Sequence, residues 1–123
     1  QMVLGLLRGI TKGLVFTREN PEATARGHFE QHPQTRPTNV SLDVAVKSAS
    51  QVIAENIQLS LTSLGQHQWG YASPQQVERV RDVLIESNIL KQKLAWDQYY
   101  TPQFVKDMND FDVDAVVKRA KAA

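Results

Sequence analysis

The chain contains no cysteine. That excludes a disulfide framework, a cysteine-ligated zinc, an iron–sulfur cluster and a thiol nucleophile, and it leaves redox chemistry silent about the compartment. An excess of charge is missing too. Lys+Arg number 14 against 13 Asp+Glu, a net charge of +1, so no long-range field argues for nucleic acid or an anionic membrane. The most apolar stretch, Met2–Phe16, is broken by Arg8 and Lys12. It falls short of the roughly 20 apolar residues that a bilayer span requires. It is not preceded by the basic region or followed by the small-residue cleavage site of a signal peptide. Strand alternation, internal repeats and low-complexity tracts are lacking as well. What is present is a 41% hydrophobic fraction over 123 residues, enough for a core and the size of one domain.

The periodicities that do appear are helical. In Met2–Thr17, Val3, Leu6, Leu7, Ile10 and Leu14 recur on one face and are expected to point inward. Gly5, Gly9 and Gly13 form a ridge with a spacing of four. Each costs about 1 kcal/mol against alanine in a helix interior, so the ridge is expected to let a neighbouring helix or sheet approach closely. Asn20-Pro21-Glu22 reads as a cap, a first-turn proline and an acid at the positive end of the next helix. That helix is expected to stop near His32, because Pro33 disfavours helix at the residue before it. Pro33–Asn39 reads as a loop.

Ser41–Leu64 predicts the longest helix, capped by Ser41 or Asn39 and ended by Gly65, with Leu42, Val46, Ala49, Ile53, Ile57 and Leu64 on its apolar stripe. Ser73-Pro74-Gln75-Gln76 has the spacing of a capping box and opens another helix. There Val77, Val80 and Leu84 are expected inside, and Glu78, Arg79, Arg81, Asp82 and Glu86 in solvent. Asn88 suits a left-handed cap, followed by the hydrophobic contact of Ile89 or Leu90. Lys91–Tyr100 predicts an irregular connector, Thr101-Pro102 the start of a short helix, and Asp112 the cap of a last one. The sequence therefore reads as mainly α, with five to six helices.

Several residue groups invite a chemical reading. His28 and His32 share a helix face, but the glutamate that follows the first histidine in metalloprotease helices is replaced by Phe29, and no third ligand is evident. Asp107, Asp110, Asp112 and Asp114 cluster without the glycine and closing glutamate of a calcium loop. Capping and solvation account for them. Seven of the nine aromatics fall between Trp69 and Phe111, where Lys91 and Lys93 supply little of the basic groove that nucleic-acid stacking needs. No serine sits in a nucleophile elbow, and no glycine-rich loop follows a strand. The chain is expected to be no enzyme, to need no cofactor or metal, and to bind no nucleic acid.

Four motifs in order carry a family resemblance: Asn20-Pro21-Glu22-Ala23, Trp69-Gly70-Tyr71-Ala72-Ser73-Pro74, Val83–Leu90 and Tyr99-Tyr100-Thr101-Pro102-Gln103-Phe104. With the helices between them they resemble the C-terminal part of the substrate-binding proteins of NitT/TauT-type ABC transporters. That group takes nitrate, taurine, other sulfonates and pyrimidine precursors of thiamine. The resemblance covers nearly the whole chain. It implies the helical end of a two-lobed, type II periplasmic-binding-protein-like α/β fold. Such a protein works outside the cytoplasm, closes on a small molecule and presents it to a permease. It also implies that most ligand contacts lie on sheet edges and hinge crossings outside this chain, leaving Trp69 and Tyr71 as the ligand-side candidates here.

The opening inside an apolar periodic pattern is expected of a segment of a longer sequence, and helices shaped to cover a sheet are expected to self-associate when alone. Two other classes stay open: a self-contained helical interaction module, and an enzyme of the thiamine-precursor branch, which would need histidines and cysteines upstream.

Overall fold

Asn20 divides the first two helices and shows why the chain turns there. The computed structural model describes residues 1–64 and 68–123, and the side chains of all of these but 60–64. Helix α1 spans Met2–Glu19 and α2 spans Pro21–Gln31. At the corner the Asn20 Oδ1 accepts from the Ala23 N–H at 2.9 Å, capping α2. Its Nδ2 donates to the Ala120 carbonyl at 2.8 Å, an interaction with the far end of the chain.

Helix α2 stops at Gln31 before Pro33, and a 3-10 turn follows at Pro33–Thr35. Helix α3 covers Leu42–Leu64 and is capped by Ser41, whose Oγ accepts from Val44 N–H at 3.4 Å. Its expected terminator, Gly65, lies outside the described residues.

Helix α4 (Pro74–Glu86) opens with the capping box: the Ser73 Oγ accepts from Gln76 N–H at 3.3 Å, and the Gln76 Oε1 accepts from Ser73 N–H at 2.8 Å. It closes on Asn88, at φ +57°. The Ile89 and Asn88 N–H groups reach back to Leu84 O and Ile85 O, both at 2.9 Å. That is the paired-bond cap expected of the left-handed position. Leu90 is half-buried after it, while Ile89 stays exposed. A second 3-10 turn occupies Trp96–Gln98.

Helix α5 (Val105–Met108) begins three residues beyond Pro102, later than the cap-plus-proline pattern suggests. Helix α6 (Val113–Ala122) is capped by the Asp112 carboxylate, which accepts from Ala115 N–H at 2.9 Å. Among the described residues there are six α-helices, two 3-10 turns and no strand, and no helix is long and apolar enough to cross a membrane.

Helix α1 is the axis of the assembly. It packs against α2, α3, α5 and α6, while α2 lies along α3. The Arg8 guanidinium donates twice to the Asp107 carbonyl, at 3.1 and 2.9 Å, fixing α1 to α5. The Lys12 ammonium sits 5.6 Å from the centre of the Phe111 ring. Across α2 and α3, Asp43 accepts from Arg26 at 2.9 Å, a hydrogen bond that raises the pKa of this exposed guanidinium further above its ordinary value.

The part of the core contributed by α1, α2, α3 and α6 is made of small residues. Val15, Ala25, Ala45, Val46 and Ala120 are buried with Thr11, whose hydroxyl donates to Leu7 O within its own helix. The stripe expected on α3 holds over its described side chains: Val46 is buried, and Leu42, Ala49, Ile53 and Ile57 are half-buried, while the side chain of Leu64 lies outside the described ones.

Three expectations about packing fail. In α1 the inward face is Leu4, Leu7, Thr11, Leu14 and Val15, while Val3, Leu6 and Ile10 are 56%, 66% and 50% exposed. The helix is apolar on two sides, and contacts from α5 and α6 selected the other one. The glycine ridge does not pack closely: a Cβ placed on Gly5, Gly9 or Gly13 meets nothing within 4 Å. In α4 the roles of two neighbours are reversed. Val80 is 59% exposed and Arg81 is buried. The Arg81 guanidinium satisfies its charge against Asp82 at 2.8 Å and Glu78 at 3.8 Å, and donates to the Leu94 carbonyl at 3.1 Å. Burial of a cation is tolerated where it is both paired and hydrogen-bonded, and here it fastens the connector to α4.

Candidate functional site

The aromatic turn 69–71 is built from three independent restraints. First, the side-chain amide of Asn109 reads the backbone of Trp69 on both sides. Its Oδ1 accepts from Trp69 N–H at 3.2 Å, and its Nδ2 donates to Trp69 O at 2.9 Å and to Val105 O at 2.7 Å. Second, Gly70 has φ +80°, and an added Cβ would lie 3.0 Å from Met108 Sδ and 3.2 Å from its Cε. Glycine is therefore needed both for the left-handed backbone and for room against Met108. Third, the Tyr100 hydroxyl bridges the turn, donating to Gly70 O at 3.0 Å and accepting from Ala72 N–H at 2.9 Å.

These restraints decide where the two expected ligand-side residues go. Trp69 is 8% exposed and belongs to the core between the turn and α5. Tyr71 is half-buried. The structure thus separates them: Trp69 holds the turn to the body, and only Tyr71 offers surface. A small cleft of about 260 Å³ runs along the Trp69 side, lined by Val15, Arg18, Asn109 and Phe111 among others.

Beside the turn lies a larger groove of about 480 Å³. It is lined by Ala72, Val77, Val80, Tyr99 and Tyr100, with Gln76 and Arg79 as its further polar side chains. Tyr99 donates its hydroxyl to Val77 O at 3.3 Å, so both tyrosines are fixed to backbone carbonyls. The Trp96 ring backs Tyr100 at 6.4 Å between centroids.

The remaining chemical groupings resolve into structure. The His28 and His32 rings lie 5.2 Å apart, and His28 Nε2 is 3.1 Å from the Thr35 hydroxyl. His32 is the C-cap residue of α2 at φ −130°, its N–H donating to His28 O at 2.8 Å, and the two rings meet as the spacing of four implies. Among the described residues no group of three His, Asp or Glu is arranged to hold a metal ion. Of the acidic residues near the C-terminus, Asp112 caps α6, and Asp107 serves through its carbonyl as the acceptor for Arg8.

Sequence reasoning missed Asn109, Arg81 and Tyr100 as the residues that hold this region. An asparagine after a short helix and an arginine among other charges are indistinguishable by pattern from solvated neighbours. For Tyr100, the aromatic clustering was the available signal.

No protein-family model, curated protein or solved structure matches the chain.

Proposed function

We propose that the chain is the C-terminal helical part of the solute-binding component of an ABC importer. That component captures a small molecule of the nitrate, sulfonate, taurine or pyrimidine-precursor class outside the cytoplasm and delivers it to a permease. The observation that carries the reading is the apolar surface left on three helices. Met2, Val3, Leu6 and Ile10 on α1, Val44, Val52 and Leu59 on α3, and Val80 and Val83 on α4 are all more than 40% exposed. Exposed apolar area of this extent marks a surface made to be covered. In the family resembled, the α1 and α3 faces would be covered by the lobes that hold the sheets. The sequential motifs support the same reading, since Asn20, Ser73 and Asn88 each perform the capping role their motif requires.

The role of the chain is then to buttress a binding crevice made largely by other residues, with Tyr71 the nearer of the two aromatic candidates to open surface. The test uses the product of the complete gene. Its thermal denaturation is followed with nitrate, taurine, an alkanesulfonate and a hydroxymethylpyrimidine. One of them is expected to raise the Tm in a concentration-dependent way, since a ligand at 100 times its Kd stabilises by about 2.7 kcal/mol. Absence of any shift, with uptake of all four intact in a strain lacking the gene, overturns the reading.

A self-contained helical interaction module is the second reading, favoured by the open glycine ridge of α1. It would show as a complete gene product that ignores all four solutes and binds a protein partner through α1.

A further inference from the structure

We propose that the groove between α4 and the Tyr99–Tyr100 pair binds a small planar aromatic carboxylate. The volume, about 480 Å³, lies in the range of small-molecule sites, roughly 300–1,000 Å³. The lining combines aliphatic and aromatic side chains, which suits a flat apolar body. The rings are positioned before any ligand arrives, because the Tyr99 hydroxyl is held by Val77 O and the Tyr100 hydroxyl by Gly70 O and Ala72 N–H. A preformed wall does not charge the ligand for ordering it.

The same bonds determine what the groove can recognise. Both phenol hydroxyls are occupied, and the Gln76 carbonyl oxygen is occupied by Ser73 N–H. Discrimination by charge therefore falls to Arg79, the one charged residue of the lining. Arg79 has no hydrogen-bond or ion-pair partner among the described residues, because its neighbour Glu78 is paired with Arg81 instead. A free guanidinium in the lining of an apolar slot matches a carboxylate, which it can meet with two parallel N–H donors. An aromatic ammonium would meet repulsion there, and a neutral alcohol would gain no charge-assisted bond.

The test is a ¹H–¹⁵N NMR titration of the full chain with three probes of one shape: 1-naphthoate, 1-naphthylmethanol and 1-naphthylmethylammonium. Naphthoate is expected to shift the amides of Ala72, Val77, Val80, Tyr99 and Tyr100, and to bind about fivefold tighter than the alcohol, the scale of one exposed ion pair. The ammonium is expected to bind weakest. Arg79→Gln should make acid and alcohol equal while keeping both in the groove. Val80→Asp should abolish binding of the acid. Both positions are exposed, so the folded spectrum is expected to survive each change. Equal affinity for the three probes, shifts centred elsewhere, no binding at all, or an acid preference that persists in Arg79→Gln overturns the proposal. None of these outcomes bears on the importer reading, whose solutes and measurement are different.

Discussion

Two glycine positions show how differently one residue type can act. Gly70 occupies left-handed backbone and faces Met108, whereas Gly9 lies in an α-helix with open space at its Cβ position. Gly70→Ala is expected to cost about 1–2 kcal/mol, since the backbone is strained for alanine and Met108 must shift its flexible end. Gly9→Ala is expected to stabilise the 123-residue chain by about 0.5–1 kcal/mol, through helix propensity alone. Urea midpoints of both variants at constant m-value check the pair. A destabilised Gly9→Ala would show that the ridge is covered in solution. Asn109 is the polar counterpart. Its amide makes three bonds to backbone, so Asn109→Ala strips Trp69 of both partners at once and is expected to cost about 2–3 kcal/mol. Unfolding followed by tryptophan fluorescence would report it, since Trp69 is the ring most directly released.

Among the elements, α4 depends most on its ends and on one buried charge, and α6 on its cap. Asp112→Ala removes the side chain that holds Ala115 N–H and is expected to cost about 1 kcal/mol, read as a lowered midpoint of thermal unfolding by circular dichroism. Arg81→Met keeps an unbranched apolar stem but abandons the Leu94 carbonyl and two carboxylates. Hydrogen bonds from a charged donor contribute about 1.5–3 kcal/mol, and a loss of that order is expected. Faster amide exchange along 91–100 should accompany it, because this contact fastens the connector to α4.

Across the whole molecule, the core is thin for the apolar content of the chain. The largest fully buried side chains are Val46 and Thr11, while Met2 is 89% and Leu6 66% exposed. Each such side chain forgoes about 1.5–3 kcal/mol that burial would contribute. The 123-residue chain on its own is therefore expected to associate and to bind ANS. Light scattering over a dilution series checks this, and Leu6→Lys should shift the population toward monomer. A strictly monomeric chain without ANS fluorescence would show that its apolar faces need no cover.

The sequence by itself determined where α2, α3, α4 and α6 begin and where α2 and α4 end, but not the start of α5, which lies beyond Pro102 at Val105. Asn20, Ser41, Ser73, Asn88 and Asp112 act through bonds to backbone within a few residues, and Pro33 acts on its immediate neighbour, so these features are legible without knowing the fold. It also marked the side of α3 that packs, at Leu42, Val46, Ala49, Ile53 and Ile57, although Val44, Val52 and Leu59 leave a second apolar side of that helix exposed. Which side of α1 is buried was decided only by tertiary structure: the helix is apolar on two sides, and Asp107 and Phe111, a hundred residues away, hold Arg8 and Lys12. Arg81 was read as solvated because charge pattern records the cost of burial and not the Leu94 carbonyl that offsets it. The candidate site divides the same way. Trp69 and Tyr71 were visible as an aromatic turn, but their separation into a core anchor and a surface ring came from Asn109, Met108 and Tyr100, contacts between residues about 30 to 40 apart that local sequence pattern does not encode.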